Sequence, residues 1–411
     1  MPPIAAGVDF LEAPLAVFGV LLVAGALISG LAGRSFLSLT AAFVVAGFAV
    51  GEGGAELVEF DPTSGFVQGL AVVALILLLF RDGLEVEREM LQEAWHLPLR
   101  KLVLAMPITA VLVALVSHAV TDLGWTESFL LGALLSPTDP VLSAAVITNP
   151  RVPRLIRHSL NLESGLNDGL ALPAVLAFTA AAAGEEDFTW WQFVLQDVIV
   201  GVTTGLVVAL AASRMMPGGR ALGHQISTHQ KALYAIGVAF TAYGAATLPP
   251  EGNGFIAVFV AAIAFGIWRP DIAECFETQS EDVVELVKLA VFLVFGAIVT
   301  LDGLFGDGWA AVGIVAFTLL VARPVAVFAA LAGSRQIGGA EKAFMAWFGP
   351  KGVATMAFAL FVLGSDASDA ARVANIAALC VMVSIIAHGL TDHAGSEWIA
   401  RREIAHSRAA R

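Results

Sequence analysis

The sequence has little charge for its length. Of its 411 residues, only 14% are Asp, Glu, Lys or Arg, whereas 58% are hydrophobic. Soluble domains of average composition carry about 25% charged residues, because charge keeps their surface in water. The mean hydropathy of this chain is +0.83. This composition excludes an ordinary water-soluble protein and predicts one that lies in a lipid bilayer.

Cysteine and basic residues are scarce as well. Cys275 and Cys380, the two cysteines, are too few for a disulfide framework and lack the spacing of a metal site. A net charge of −13 argues against nucleic acid as a partner, because phosphate binding needs basic patches. The first thirty residues lack the basic region of a secretory signal, so we interpret the first apolar run as a retained span.

Apolar runs long enough to cross about 30 Å of hydrocarbon recur along nearly the whole chain. They predict an all-α, polytopic membrane protein of about thirteen spans that forms one transmembrane unit over residues 1–411. The predicted spans are 13–32, 36–52, 65–82, 99–121, 127–148, 160–183, 191–213, 230–248, 253–269, 283–303, 309–333, 341–363 and 371–391.

The predominant charge alternates between consecutive loops that connect these spans. Odd-numbered connections hold most of the basic residues, such as Arg100 and Lys101 in the third, and even-numbered ones are mainly acidic, as at Glu185 and Glu186 in the sixth. Short cytoplasmic loops carry the excess of Lys and Arg. We therefore predict a cell-membrane protein with its amino terminus outside and its short tail, 392–411, in the cytoplasm.

The two ends of the chain have similar organisation. Six spans over 13–183 and six over 230–391, joined by the single span 191–213, predict two repeats that enter the membrane from opposite sides. The fifth span of each repeat is interrupted, at Pro137 to Pro140 and at Gly349 to Gly352, with Pro350 inside the second break. Paired discontinuous helices that cross near the bilayer centre mark the binding sites of many transporters.

Asp139 lies inside the first break, at a depth where an ionisable group costs at least about 2.5 kcal/mol. The flanking prolines Pro137 and Pro140 remove backbone donors, so carbonyl groups such as that of Thr138 become available to a cation. Asp139 itself can cap the start of a half-helix. A simple kink with a capping aspartate is the alternative interpretation.

The next span holds a second set of polar residues. Ser164 and Asp168 are four residues apart, as are Glu163 and Asn167, so each pair shares one face of a helix. Hard monovalent cations prefer oxygen ligands such as hydroxyl, carboxylate and carbonyl groups. We interpret this face as part of an ion site, and a purely structural polar network is the alternative.

Two basic residues also lie at mid-span depth. Arg323 stays protonated and needs a buried anion; Glu163 is the natural candidate, which leaves Asp168 free to titrate. Lys351 can offset the dipoles of unwound carbonyl groups and support the second break. We expect structural roles for Glu163, Arg323 and Lys351.

Taken together, these residues resemble the monovalent cation/proton antiporter family, in particular its electroneutral branch of sodium/proton exchangers. The resemblance covers nearly the whole chain, with the motifs in the expected order. They are Phe80-Arg81-Asp82-Gly83-Leu84-Glu85, Thr138-Asp139-Pro140, Glu163-Ser164-x-x-Asn167-Asp168, Arg323 and Trp347-x-Gly349-x-Lys351-Gly352. Lys351 departs from the family pattern, which has arginine there, so the charge is kept but the bidentate fork is lost.

The resemblance implies a core and a dimerisation domain, usually in a homodimer. It also implies that Na⁺ is bound by Asp168, Asp139, Ser164 and the Thr138 carbonyl. Electrogenic members of the family carry two consecutive aspartates where this chain has Asn167 and Asp168, so the asparagine implies one-for-one exchange.

These observations predict a secondary transporter that exchanges Na⁺, or Li⁺, for H⁺ and serves pH homeostasis. Cation and proton compete for Asp168 while the site is exposed to alternate sides, and no cofactor is expected. K⁺/H⁺ exchange on the same fold is the nearest alternative. An intramembrane aspartyl protease also needs two buried aspartates, but its Gly-x-Gly-Asp and Pro-Ala-Leu signatures are absent from the sequence, so we do not expect an enzyme. A channel would have a continuous path instead of two broken helices around one site.

Overall fold

The computed structural model describes residues 14–24, 39–90, 95–139, 146, 149–184, 189–216, 226–334 and 336–409. Regular structure within these ranges is helical. The helices are α1 (Pro14–Ala24), α2 (Leu39–Val50), α3 (Gly65–Met90), α4 (His96–Val120), α5 (Trp125–Leu134), α6 (Arg154–Ala182), α7 (Trp190–Met215), α8 (Thr228–Ala246), α9 (Gly254–Trp268), α10 (Pro270–Gln279), α11 (Glu281–Ile298), α12 (Leu301–Leu304), α13 (Trp309–Ala330), α14 (Gly339–Trp347), α15 (Val353–Leu363) and α16 (Ala370–Ala409).

The prediction of a polytopic all-α protein is confirmed, and every predicted span overlaps a helix. Six helices in the described part are long and apolar enough to cross a bilayer, or seven if α9 and α10, which meet at 116°, count as one broken span. The six are α3, α4, α6, α7, α13 and α16. The count of thirteen crossings stays a prediction, because it depends on charge alternation as well as on helix length.

Several boundaries differ from the predicted ones. Helix α3 continues to Met90, eight residues past the predicted end, because its last two turns carry charge that a hydropathy pattern excludes. Helix α16 likewise continues to Ala409, so the described part of the predicted tail is helical. Helix α10 was not predicted. It begins at Pro270, a residue that suits a first helical turn because its missing N–H would be unpaired there anyway.

Small residues allow the helices to pack closely. Helix α2 lies against α11, where a Cβ at Gly47 would overlap the carbonyl oxygen of Leu293 and one at Gly296 would overlap that of Val44. Close backbone approach of this kind is how helices associate in lipid, where apolar burial between them gives little driving force. Helix α6 packs against α3, α5 and α9, which places its polar face inside the bundle.

Both predicted interruptions lie inside the bundle as non-helical segments of the described chain. Helix α5 ends at Leu134 and the chain is non-helical from there to Asp139; helix α14 ends at Trp347 and α15 begins at Val353. The N–H of Asp139 donates a hydrogen bond of 2.7 Å to the Pro350 carbonyl, so the two breaks are in direct contact. The relation of the two halves as inverted repeats stays a prediction.

Candidate functional site

Asp139 joins the first break to the second. Its Oδ2 accepts a hydrogen bond of 3.1 Å from the N–H of Val353, the first residue of α15. Asp139 therefore caps the start of a half-helix, as expected, but the capped helix is α15, at the second break. Gly352 leaves room for the carboxylate, because a Cβ there would overlap it. Pro140, predicted to support the first break, lies outside the described residues.

Lys351 fills the space between the two breaks and is fully buried. Its Nζ donates to the carbonyl oxygens of Pro137, at 2.9 Å, and Ser136, at 3.3 Å. Its own N–H donates to Ser384 Oγ of α16 at 2.9 Å. Unwound backbone leaves buried carbonyl groups that need a donor, and the ammonium of Lys351 supplies one to each of these two.

The predicted polar face of α6 points at the first break. The Nδ2 of Asn167 donates to the Thr138 carbonyl oxygen at 2.6 Å and to its hydroxyl oxygen at 2.9 Å. The carbonyl predicted to bind a cation thus already accepts one hydrogen bond. A carbonyl oxygen has a second lone pair, so Thr138 keeps the capacity to be a ligand.

Asp168 lies next to this contact and is 8% exposed. Its Oδ1, and the Oδ1 of Asn167, are buried and have no hydrogen-bond partner within the described ranges. The carboxylate is close enough to Asp82 and Asp139 to interact with them electrostatically. Buried oxygens without donors, surrounded by further carboxylates, are what a hard cation or a proton can satisfy.

Two cavities open along α6, one on each side of Asp168. The first has a volume of about 350 Å³ and reaches Ser164; the second has about 640 Å³. Acidic side chains outnumber basic ones in the first. Its charged lining residues are Asp82, Glu85, Glu277, Glu281, Glu285, Arg81 and Lys288. A cleft with excess negative charge concentrates cations.

The two cavities contact α6 at different distances from Asp168. The nearest lining residue of the first cavity is Gly165 and that of the second is Leu176. At 1.5 Å per residue these lie about 4.5 Å and about 12 Å from Asp168 along the helix axis. The ring of Phe259 lies against Gly169, where a Cβ would overlap it. Asp168 is therefore close to the acidic cavity and separated from the other.

Glu163 and Arg323, predicted as a pair, are in contact, with Arg323 Nη1 at 3.1 Å from Glu163 Oε1. Sequence reasoning missed a second base there. Lys101, which we assigned to the loop charges that set orientation, is buried in α4 with its Nζ 2.6 Å from Glu163 Oε2. Its position two residues inside the predicted span 99–121 could have indicated that Lys101 is buried. The adjacent Arg100, however, favoured the assignment of both residues to a loop.

Two further ionisable residues, to which the sequence analysis gives no role, are buried as well. Asp82 is buried and pairs with Arg81 at 2.7 Å, because α3 continues past the predicted end of its span. His388 is also buried. Its Nε2 lies 2.8 Å from the Trp347 carbonyl oxygen and its Nδ1 lies 2.7 Å from that of Ser384, so it ties the end of α14 to α16.

The chain is similar in sequence to one protein family and to several named proteins. The model of the family described as "Sodium/hydrogen exchanger, transmembrane" matches residues 19–393. A K⁺/H⁺ antiporter NhaP of Alkalimonas amylolytica is 25% identical over 93% of this chain and 66% of its own length. A Na⁺/H⁺ antiporter NhaH of Halobacillus aidingensis is 25% identical over 69% of this chain and 71% of its own.

The fold is similar to a solved structure. The sodium proton antiporter MjNhaP1 from Methanocaldococcus jannaschii superposes with a TM-score of 0.79, at 17% identity, over 95% of this chain and 99% of that one. Several curated relatives are longer than this chain, which spans 65% of a K⁺/H⁺ antiporter NhaP2 of a Shewanella species, for example. These similarities agree with the helical architecture described above.

Proposed function

Because the chain belongs to the sodium/hydrogen exchanger family, a family of transporters and not of enzymes, we propose that it exchanges a monovalent cation for H⁺. The observation that carries this proposal is the position of Asp168. It is buried between two cavities, and one of its carboxylate oxygens lacks a hydrogen-bond donor within the described ranges.

In the proposed mechanism, Asp168 binds a proton or a cation but never both. A dehydrated carboxylate is costly, so the empty site is strongly disfavoured and one of the two ligands occupies it at almost all times. Asp139, Ser164 and the Thr138 carbonyl complete the cation's oxygen shell, and Asn167 orients Thr138. Competition for a single carboxylate then makes exchange obligatory without a separate coupling device.

Alternating access requires that the site reach each cavity in turn. We propose that the helices carrying the site move relative to those packed against them, as in other transporters with paired broken helices. In the structure Asp168 lies near the acidic cavity. Phe259, whose ring packs against Gly169, lies on the side of the second cavity. By the resemblance described above, we propose that the transporter is a homodimer, lies in the cell membrane with its tail in the cytoplasm, and serves pH homeostasis.

We propose Na⁺ as the cation, with Li⁺ as a further substrate, because oxygen ligands from two carboxylates, one hydroxyl and one backbone carbonyl suit a small hard ion. K⁺ is the second candidate, and one observation favours it. Relatives that match over nine tenths of this chain are named K⁺/H⁺ antiporters. Since Asn167 adds no charge beside Asp168, we propose one cation per proton.

The test uses everted vesicles that contain the protein and an internal pH indicator. Addition of Na⁺ or Li⁺ to vesicles acidified inside is expected to raise the internal pH, with K⁺ less effective at equal concentration. A response to K⁺ but not to Na⁺ or Li⁺ would identify K⁺ as the exchanged cation and contradict the choice of Na⁺. No response to any of the three ions, from protein shown to be folded, would contradict exchange itself.

The same vesicles test the stoichiometry. With the membrane potential clamped at zero and then at a negative value, one-for-one exchange is expected to give equal rates. Rates that follow the potential would contradict it, because net charge would then move in each cycle. Each elementary charge that crosses 100 mV changes the free energy by about 2.3 kcal/mol, so such a dependence is easily detected.

A further inference from the structure

Hydrogen bonds join the helices that carry the ion site into one group. The hydroxyl of Thr355 in α15 donates to the Leu134 carbonyl oxygen at the end of α5, at 3.2 Å. The N–H of Ser368, shortly after α15, donates to the carbonyl oxygen of Ala182 at the end of α6, at 2.9 Å. Together with the contacts of the two breaks described above, these bonds make α5, α6 and α15 one unit, which we call the site group.

Helices α3 and α9 form a second group, which we call the support group. A Cβ at Gly83 of α3 would overlap the Cβ of Ala262 of α9, so the two helices are in close contact. Neither helix carries a ligand of the proposed ion site. Exposure of the site to alternate sides requires that the site group move relative to the support group. The contacts between the two groups must therefore differ between the two states.

On the side of the acidic cavity the two groups approach less closely. Asp82 of α3 and Ser164 of α6 both line this cavity, so the cavity extends between the groups. A Cβ at Gly165 of α6 would lie 3.6 Å from the nearest atom of α3, the Asp82 carbonyl oxygen. That is an ordinary van der Waals distance, and α6 therefore keeps space beside α3 on this side.

On the side of the second cavity the two groups are in direct contact. Phe259 of α9 lies against Gly169 of α6, as described above. Phe255, one turn earlier on α9, packs edge-to-face against Phe361 of α15, with the ring centroids 5.9 Å apart. Phe361 also lines the second cavity. The structure is therefore open toward the acidic cavity and closed toward the second one.

A hydrogen bond between the two groups accompanies these aromatic contacts. The Nε2 of Gln68 on α3 donates to the Leu360 carbonyl oxygen of α15 at 2.8 Å and to the Pro62 carbonyl oxygen at 2.6 Å. An amide nitrogen has two N–H groups, and both are used here. The bond to Pro62 holds the carboxamide in place, so that the second N–H meets the end of α15.

Gly364 provides the space for this contact. It directly follows α15, and a Cβ there would overlap the carboxamide of Gln68. Its φ of −86° is one that any residue can adopt, so the backbone conformation does not require glycine. The close approach of the Gln68 side chain does.

We propose that Gln68, Leu360 and Gly364 form a latch that keeps the second-cavity side closed and opens once in every transport cycle. Gln68 is then a positioning residue for transport, because it acts on the helix that follows the second break. One neutral hydrogen bond changes an equilibrium by about twofold to tenfold, so this latch favours one state without preventing the other. The inference rests on the proposed function, because it assumes that the site is exposed to alternate sides.

The first experiment measures how fast a water-soluble thiol reagent labels a single cysteine in protein reconstituted in lipid nanodiscs. Cys275 and Cys380 are replaced by alanine, and one reporter is introduced at a time. Thr179→Cys reports on the second cavity and Val284→Cys on the acidic cavity, and both positions are buried in the structure. The two reporters together distinguish a shift between states from a general loosening of the protein.

Gln68→Ala and Gly364→Ala are each expected to speed labelling of the second-cavity reporter by about twofold to tenfold, because each breaks the same hydrogen bond. Since both act on one contact, the double variant is expected to show no larger effect than either change alone. The acidic-cavity reporter is not expected to be labelled faster. Gln279→Ala, at an exposed position at the end of α10, is the matched control and is expected to leave both labelling rates unchanged.

A contact with a purely structural role would loosen the whole protein when it is removed. Faster labelling of both reporters, or of neither, would therefore overturn the proposal. Effects of the two substitutions that add in the double variant would show two separate contacts and would also contradict it.

The second experiment closes the latch covalently. A Cβ at Gly364 would overlap Cδ of Gln68, which is two bonds from that residue's own Cβ, so the two Cβ atoms lie within roughly the 4.5 Å that a disulfide spans. Both residues are replaced together, as Gln68→Cys and Gly364→Cys, in the background without Cys275 and Cys380. Oxidation is expected to stop exchange of Na⁺ or K⁺ for H⁺ in proteoliposomes, and reduction is expected to restore it.

Exchange at the full rate by cross-linked protein, or no cross-link in folded protein, would overturn the latch. The proposed function fails in a different way. Folded wild-type protein that exchanges none of the tested cations, while the labelling rates respond as expected, would count against the proposed function and not against the latch.

Discussion

Replacement of Asp168 by asparagine is expected to abolish exchange while folded protein accumulates normally. Asparagine has nearly the same shape but can neither carry a proton nor offer a negative charge to a cation. Since the proposed mechanism has no second carrier, we expect the rate to fall by at least about 100-fold, in line with the loss of a buried charge contact worth about 3 kcal/mol or more. The measurement is cation-driven proton flux in proteoliposomes that hold equal amounts of protein.

The control is Asp302→Asn, which neutralises an exposed carboxylate in α12. It is expected to leave the rate within a factor of two of wild type. Asp139→Asn provides a second comparison. An amide oxygen can still accept the N–H of Val353, so we expect a weaker apparent cation affinity and a smaller loss of rate than for Asp168→Asn. Near-normal flux in Asp168→Asn would refute its assignment as carrier.

Replacement of Gly349 by alanine is expected to destabilise the protein strongly, although the change adds a single methyl group. A Cβ at this position would overlap the guanidinium of Arg323. The side chain would have to leave Glu163 and the Met345 carbonyl, which it now contacts. Disruption of a buried ion pair typically costs about 3–5 kcal/mol, so we expect a large drop in the thermal unfolding midpoint in detergent and little exchange.

Gly313→Ala is the matched control, because it makes the same change on α13, the helix that carries Arg323. A Cβ at Gly313 would meet nothing within 4 Å. Alanine is favoured over glycine inside a helix by about 1 kcal/mol, so this variant is expected to be at least as stable as wild type. Equal behaviour of the two variants would mean that Arg323 can move away freely and that its contacts matter little.

The sequence was sufficient to predict the broken helices, and the reason is local. Two prolines within four residues, Pro137 and Pro140, or a glycine next to a proline, Gly349 and Pro350, remove backbone donors and disfavour the helical conformation, wherever the rest of the chain lies. The pairing of Asp139 with Val353 and of Lys351 with Pro137 could not be predicted in the same way. Each joins residues 214 apart, and which carbonyl or N–H meets which side chain depends on how the two breaks cross.

The partners of Glu163 show a similar limit of prediction from sequence. Arg323 could be assigned to Glu163 by elimination, because a guanidinium in the middle of an apolar span needs an anion. Lys101 lies near the end of its span beside Arg100, where a long basic side chain commonly reaches the water interface. Only the packing of α4 against α6 shows that it turns inward. A hydropathy pattern contains no information on which face of a helix end meets a neighbour.

The central claim is that one carboxylate, Asp168, is shared by proton and cation. It is tested most directly by the cation concentration that gives half-maximal exchange, measured from pH 5.5 to 8.5 in proteoliposomes at zero membrane potential. Competition predicts that this concentration rises as the pH falls, by up to about tenfold per pH unit on the acid side, while in that acid range the maximal rate at saturating cation stays constant. A half-maximal concentration that does not change with pH would show that the two ions bind at separate sites and would contradict the account.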